Sequence, residues 1–363
     1  MAIRFLHAAD FHLDSPFAAL DAPRAQQRRR EVRRLPERLA NYVNQNDIAL
    51  VLLAGDLFDG ATIYRDTLEA LGDALGSMRA QVFIAPGNHD YYSARSPYAT
   101  MTWPENVHIF RTREIERVVL PELGCAVYGA AFTAAAQDSS LLAGFAAAED
   151  GLAHVMVLHG DLNAAEARYN PLTPEEIAAS GLDYLALGHV HRFDGAKRFG
   201  RTLCAYAGCP EGRGFDETDE RGVLVGTLEA GRAEVRFVPF ARRRYRSLRV
   251  DVTDTTPERA LEAALPETAA SDLFRVVFTG ETDERGVDIK SIRERFAPDC
   301  FSLELRDETR IREDVWARAQ EDSLRGAFLR VLREAYETSD EAGRARIERA
   351  VRFGLAALDG RDF

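Results

Sequence analysis

Apolar and polar positions repeat along this chain in one order: a short apolar run, a turn, then a side chain of a metal-binding type. Ile3-Arg4-Phe5-Leu6 leads to Asp10-Phe11-His12, Val51-Leu52-Leu53-Ala54 to Gly55-Asp56, and Val82-Phe83-Ile84-Ala85 to Gly87-Asn88-His89-Asp90. Val155-Met156-Val157-Leu158 leads to His159, and Tyr184-Leu185-Ala186-Leu187 to Gly188-His189-Val190-His191. Apolar runs of this length between turn residues predict strands buried on both faces. Ligands of open α/β sheets collect at the carboxyl ends of such strands, so the five polar ends are expected on one rim.

The same patterning divides the chain. Residues 1–240 alternate strand-like runs with helix-like stretches and then add late strands at 202–207, 222–228 and 234–240, an α/β domain ending near Pro239. Residues 241–310 read as a small α+β capping domain, a candidate DNA-binding element. Its order is strand (Leu248–Val252), helix opened by Thr256 and Pro257, strand (Phe274–Thr279), helix (Ile289–Phe296) and strand (Phe301–Leu305). Residues 311–363 predict a helical tail, with Leu324, Phe328, Val331 and Leu332 on one stripe and Ile347, Val351, Leu355 and Leu358 on another. Such stripes fit a hairpin folded onto its own chain or a docking element for a partner.

The candidate ligands are Asp10, His12, Asp56, Asn88, His159, His189 and His191. This set mixes imidazole, carboxylate and amide oxygen and contains no thiolate. It exceeds the needs of one ion and suits two cations sharing a bridging carboxylate, with positions left for water and substrate. Paired ions roughly 3.5–4 Å apart recur in displacement at phosphorus. Nitrogen and oxygen donors together favour Mn, Fe or Zn over Ca or Mg, and the lack of cysteine argues against a closed structural zinc site. Mn²⁺ is the first choice. Outside these motifs, His7, His108 and His154 read as hydrogen-bonded core residues. Asp14 and Asp161 either orient ligands or serve as turn and cap groups.

The ordered set D-F-H, G-D-L-F-D, G-N-H-D, a lone His after a strand, and G-H-V-H resembles the calcineurin-like metallophosphoesterases. The motifs span about the first two thirds of the chain. Within that superfamily, the opening H-A-A-D-F-H-L-D-S-P-F, the segment G-D-L-F-D-G and the late G-C-P-E-G-R-G-F look most like the bacterial SbcD/YhaO-type DNA repair exonucleases. The resemblance implies a two-sheet metallophosphoesterase sandwich with flanking helices. It assigns Asp10, His12 and His191 to one metal, Asn88, His159 and His189 to the other, and Asp56 to both. It makes His89 the general acid that protonates the leaving oxygen, Asp90 the group that orients His89 and raises its pKa, and metal-bound hydroxide the nucleophile. Archaeal and eukaryotic relatives carry a histidine where this chain has Asp59, so a strand-steering role for Asp59 does not carry over. Relatives of this type work with a separate coiled-coil ABC-type ATPase of the SbcC/YhaN kind.

Composition modifies this reading. The net charge of −12 opposes nucleic-acid binding unless positive charge is clustered, because phosphate contacts dominate DNA affinity. Two arginine clusters exist: Arg24, Arg28, Arg29, Arg30, Arg33, Arg34 and Arg38, then Arg242, Arg243, Arg244, Arg246 and Arg249. Each fits either a phosphate-tracking surface or a solvated helix face and charged linker. Arg242, Arg243, Arg244 and Arg246 are the candidate DNA contacts. No apolar stretch approaches the roughly 20 residues of a membrane span, no signal segment opens the chain, and Cys125, Cys204, Cys209 and Cys300 form no C-x-x-C pair. A cytoplasmic protein with no membrane contact is expected. The only lysines, Lys197 and Lys290, lie in no P-loop, so the chain cannot by that route hydrolyse ATP itself.

The expected activity is Mn²⁺-dependent hydrolysis of DNA phosphodiester bonds, as exonuclease or endonuclease. Its alternative is a metallophosphatase or phosphodiesterase acting on nucleotides, other small molecules or phosphoproteins, because the same core serves all of them. A non-catalytic adaptor has no reason to retain the full ligand set. The partners expected are DNA, the ATPase and a second copy of the chain.

Overall fold

The apolar runs are continuous because both faces of their strands are covered. In β1 (Ile3–Ala8), Leu6 and Ala8 enter one core while Ile3 and Phe5 enter another on the opposite face. The computed structural model describes residues 2–60, 63–162 and 168–360 and divides into two compact units, Met1–Arg242 and Arg243–Phe363.

In the first unit β1 is followed by α1 (Ala22–Arg33), α2 (Leu35–Gln45), β2 (Leu50–Leu53), α3 (Arg65–Gly76), β3 (Gln81–Ile84), the single turn α4 (Pro97–Thr100) and β4 (Val107–Ile109). The chain continues through β5 (Glu116–Leu120), β6 (Cys125–Gly129), β7 (Ala153–His159), α5 (Pro174–Ala179), β8 (Tyr184–Gly188), β9 (Lys197–Phe199) and β10 (Thr202–Tyr206). It returns with β11 (Gly222–Glu229) and β12 (Arg232–Pro239). One six-stranded sheet runs β12-β11-β1-β2-β3-β4 and the other β5-β6-β7-β8-β10-β9. β1 to β4 of the first sheet and β6, β7, β8 and β10 of the second are parallel, with antiparallel pairing at the β11–β12 end of the first and at both edges of the second. Phe5, Leu50, Leu52 and Phe83 of the first sheet share a core with Val127, Val155, Val157 and Ala186 of the second, which defines the two-sheet sandwich. Val51 and Leu53 pack instead toward Leu35, Leu39 and Val43 of α2, and Met156 and Leu158 toward Ile177 of α5. The late strands fall where the periodicity predicts them.

The second unit contains β13 (Tyr245–Asp251), α6 (Pro257–Ala264), β14 (Leu273–Thr279), β15 (Glu281–Thr282), α7 (Ile289–Phe296), β16 (Ser302–Asp307), β17 (Arg310–Ile311), α8 (Glu313–Ala317), α9 (Leu324–Thr338) and α10 (Glu341–Leu358). β13, β14 and β16 form a parallel sheet whose core includes Leu261 of α6 and Ile292 of α7. β13 starts at Tyr245 rather than Leu248 because a buried Tyr245 pairs with Leu273 at the head of the ladder. Thr256 caps α6, its side-chain oxygen accepting from Arg259 N–H, with Pro257 next. A separate cluster holds α9 and α10 against Ile311, Val315, Trp316 and Ala319, burying Leu329, Val351 and Leu355. The predicted stripes therefore pack in part on their own chain. Leu324, Val331, Phe353 and Leu358 stay exposed. Among the described residues no helix is long and apolar enough to cross a membrane, and all four cysteines are free and buried.

Candidate metal centre

Strand ends and strained turns bring the motif residues together. Asp10 N–H donates to Gly55 O at 3.0 Å, His12 N–H to Asp56 O at 3.0 Å and Leu13 N–H to Leu57 O at 2.8 Å, so the loops after β1 and β2 run side by side. Asp10, His12, Asp56 and His189 all have positive φ, at 55°, 44°, 52° and 103°. Non-glycine residues held there cost about 1–3 kcal/mol each, and such strain is typical of side chains aimed at a functional centre. The motif glycines admit this closeness: a Cβ on Gly188 would lie 1.9 Å from Ala54 O, and one on Gly87 2.3 Å from Asp56 Oδ1.

Three sets of donor atoms lie within 4.8 Å of one another: Asp10 with His12 and His191, Asp10 with Asp56 and His159, and His12 with Asp56 and His89. Asn88 joins them, its Oδ1 2.9 Å from His159 Nε2 and 3.3 Å from His189 Nδ1. All seven expected ligands thus stand in one cluster, with Asp10, His12 and Asp56 each common to two of the sets.

Hydrogen bonding on the far side of the rings indicates what the near side takes. His12 Nδ1 lies 3.0 Å from Asp59 Oδ1 and His191 Nδ1 2.7 Å from Glu217 Oε1, and ionised carboxylates only accept, so both rings carry their proton on Nδ1. Arg213 Nη2 is also 3.2 Å from His191 Nδ1, but two donors do not bond, and the shorter charge-assisted contact to Glu217 decides the tautomer. The two Nε2 atoms then face each other across 3.1 Å as acceptors, an arrangement satisfied only by a proton or a cation between them. His159 repeats it. Its Nδ1–H donates to Ala54 O at 2.9 Å, leaving Nε2 turned on Asn88 Oδ1 and, at 3.4 Å, on Asp56 Oδ2. Converging lone pairs of nitrogen and oxygen, backed by carboxylates and carbonyls, fit divalent cations.

Charge states agree. Burial lowers the pKa of His12, His159 and His189 to about 4, so these imidazoles are neutral and ligand-competent at pH 7. Burial pushes Asp10 up to about 7, with Asp56 adding to the rise. The His191 pKa would fall through burial, but the Glu217 hydrogen bond and Asp10 outweigh this and leave it raised. Glu217 is buried too, yet His191 and Arg213 hold its carboxyl down at about 2. A cluster of this sign gains from added positive charge.

Several expectations need correcting. Asp90 does not orient His89. Its carboxylate accepts from the N–H groups of Gly87, Asp56, Leu57 and Phe58 and from the Tyr98 hydroxyl, fixing the backbone under the site. The exposed His89 ring instead makes a long 3.4 Å contact through Nδ1 with Asp59 O, and the His89 backbone N–H donates to Asp56 Oδ1. Arg28 is fully buried, donating to Glu31, Glu211 and Gly212 O, and so is withdrawn from any phosphate-tracking surface. Arg243 is buried over the Phe301 ring and donates to Ser271 O, and Arg246 Nε donates to Asp272. Arg244 N–H also goes to Asp272, while Arg242 is exposed, 3.7 Å from Glu31. His7 and His154 are hydrogen-bonded in the core, but His108 is one-third exposed and meets Glu116 at 3.1 Å. Asp14 takes the capping role, accepting from Tyr64 N–H and Thr67 Oγ1, whereas Asp161 acts electrostatically on His189.

Sequence reasoning missed Glu217, Arg213, Tyr98 and Asn170. Asn170, with φ 51°, donates to His159 O and accepts from Leu141 N–H. Only Arg213 had a local signal, inside the late G-C-P-E-G-R-G-F segment.

Two-sheet sandwich, clustered carboxylates and paired histidine ends define a metal-dependent phosphoester hydrolase. Residues 3–193 match the family model of the calcineurin-like phosphoesterases, and the chain belongs to that family. A protein of Bacillus subtilis (strain 168) named uncharacterized metallophosphoesterase YhaO is 28% identical over 277 residues, which cover 73% of this chain and 67% of that one. The crystal structure of TT1561 of Thermus thermophilus aligns with a TM-score of 0.38 and 11% identity over 65% of this chain and 99% of that one.

Proposed function

We propose that this chain is a Mn²⁺-dependent DNA nuclease. The observation that supports phosphodiester hydrolysis is the convergence of seven ligand side chains beside an exposed His89. Asp10, His12 and His191 would hold one divalent cation, Asn88, His159 and His189 a second, and Asp56 would serve both; such cations would supply Lewis-acid chemistry at a phosphoryl group. His89 is the exposed member of a donor set with Asp56 and His12, and in this reading its ring gives a proton to the leaving oxygen. DNA as substrate rests on the subfamily motifs and on the likeness to YhaO.

A second reading, a phosphatase or phosphodiesterase for nucleotides, other small molecules or phosphoproteins, is favoured by the burial of Arg28 and Arg243 in a chain of net charge −12. One Mn²⁺-loaded preparation assayed on linear duplex, single-stranded DNA, cyclic nucleotides and a chromogenic phosphodiester separates them. Cleavage of the chromogenic diester without cleavage of either DNA sinks the nuclease reading. For an ATPase partner, the apolar positions Leu324, Val331, Phe353 and Leu358 exposed on α9 and α10 are the candidate contacts. Replacing Val331 and Phe353 by Ser should then abolish copurification with a coiled-coil ATPase while diester hydrolysis persists.

A further inference from the structure

One guanidinium holds both carboxylates that back the His12 and His191 pair. Arg213 Nη1 donates to Asp59 Oδ1 at 2.8 Å, Nη2 lies 3.6 Å from Glu217 Oε1, and Arg213 N–H donates to Glu217 Oε2 at 2.7 Å. The same Asp59 and Glu217 accept from His12 Nδ1 and His191 Nδ1. Arg213 Nε is buried without a partner among the described residues, so the side chain is held through its two terminal nitrogens. The loop that carries it is anchored in turn. Glu211, 1% exposed, accepts from Arg28, Arg38 and Arg242 N–H, and Arg221 donates to the carbonyls of Glu217 and His191. The arginine-rich helix α1 thus ends in support of the site, through Arg28 and Glu211.

We infer that Arg213 is a positioning residue that fixes the His12 and His191 rings with both Nε2 lone pairs turned inward, setting the affinity of the cation they hold and leaving the one beside Asn88, His159 and His189 unaffected. A guanidinium suits this because its planar fork reaches two carboxylates in set directions, which a lysine ammonium does not. Carboxylate partners behind ligating histidines are worth about 10–100-fold in metal affinity. The inference rests on metal binding by the family and not on DNA as substrate, so a chain inactive on DNA leaves its test intact.

The test is a calorimetric Mn²⁺ titration of Arg213→Met, joined to ¹⁵N ring spectra of the histidine-labelled metal-free chain. The expected result is one equivalent bound as in the native chain and the other weakened by about 10–100-fold. Loss of the Nδ1–H tautomer should appear at His12 and His191 and not at His159, whose Nδ1 faces Ala54 O. Arg213→Lys should recover little of the lost affinity. Two equivalents of native affinity in folded Arg213→Met, or equal weakening of both with His159 also changed, overturns the inference. If Arg213→Met does not fold, Glu217→Gln serves: it keeps an accepting oxygen and removes the charge, and a smaller loss confined to one equivalent is expected, whereas no loss overturns the inference.

Discussion

Tyr98 donates its hydroxyl hydrogen to Asp90 Oδ2 across 2.6 Å, and both residues are buried. The contact places the last residue of G-N-H-D in the support of the site rather than in its chemistry. Asp90→Ala strands the N–H groups of Gly87, Asp56, Leu57 and Phe58, each unpaired donor costing about 1–3 kcal/mol. Tyr98→Phe removes one partner of five and should cost about 1–2 kcal/mol. Denaturant unfolding checks both, and diester hydrolysis by Tyr98→Phe should stay within a few-fold of native. A selective loss of turnover in Tyr98→Phe at native stability would return Asp90 to the chemistry.

Asp56 stands at the centre of the cluster, with Oδ2 3.4 Å from His159 Nε2 and 3.9 Å from His12 Nε2. A carboxylate shared between two cations belongs to both shells, so Asp56→Asn should weaken both. Metal analysis after dialysis decides it; two retained equivalents of native affinity rule out sharing.

His89 is the exposed member of its donor set, and its replacement should separate binding from turnover. His89→Ala should retain both metals and lose roughly 10²–10⁴-fold in turnover on an ordinary phosphodiester. The loss should shrink on a nitrophenyl ester, whose leaving group needs no proton. Equal losses on the two substrates would point to metal binding or substrate positioning instead.

The arginine clusters mark where sequence stops being informative. Strand runs such as Val155–Leu158 are legible because burial on both faces leaves no polar position, and their ends name the ligands directly. Arg28 looks like its solvated neighbours, and partners such as Glu211, 183 positions away, make it a core residue. Glu217 and Tyr98 were invisible for the same reason, since each gains its role from a partner brought to it by folding, the His191 ring for Glu217 and the Asp90 carboxylate for Tyr98. The order G-N-H-D suggested an Asp90 to His89 pairing, but the turn directs the carboxylate inward to backbone donors. Arg28→Met therefore should not merely flatten a salt dependence. It should cost about 3–5 kcal/mol by leaving Glu211 and Glu31 with one partner fewer in the interior, read by chemical denaturation. A loss under about 1 kcal/mol, the usual worth of an exposed ion pair, would put Arg28 back among surface charges.

His7 supplies a pH dependence that owes nothing to metal. Its ring is buried between the sheets, with Nδ1 2.8 Å from the Tyr184 hydroxyl and Nε2 3.1 Å from Leu187 O. Burial lowers its pKa to about 3 against 6.5 for the ordinary side chain, and the Leu187 carbonyl offsets only part of this. Between those values the unfolded chain binds a proton that the folded chain refuses, so stability rises with pH through this window. The contribution is complete above pH 6.5 and is lost as pH falls toward 3, at about 1.4 kcal/mol per pH unit. His7→Gln does not titrate there. In metal-free protein, the difference in unfolding free energy between native and variant should therefore change with that slope between about pH 6 and pH 4. Parallel stability curves for the two would show that the folded chain protonates His7 without penalty.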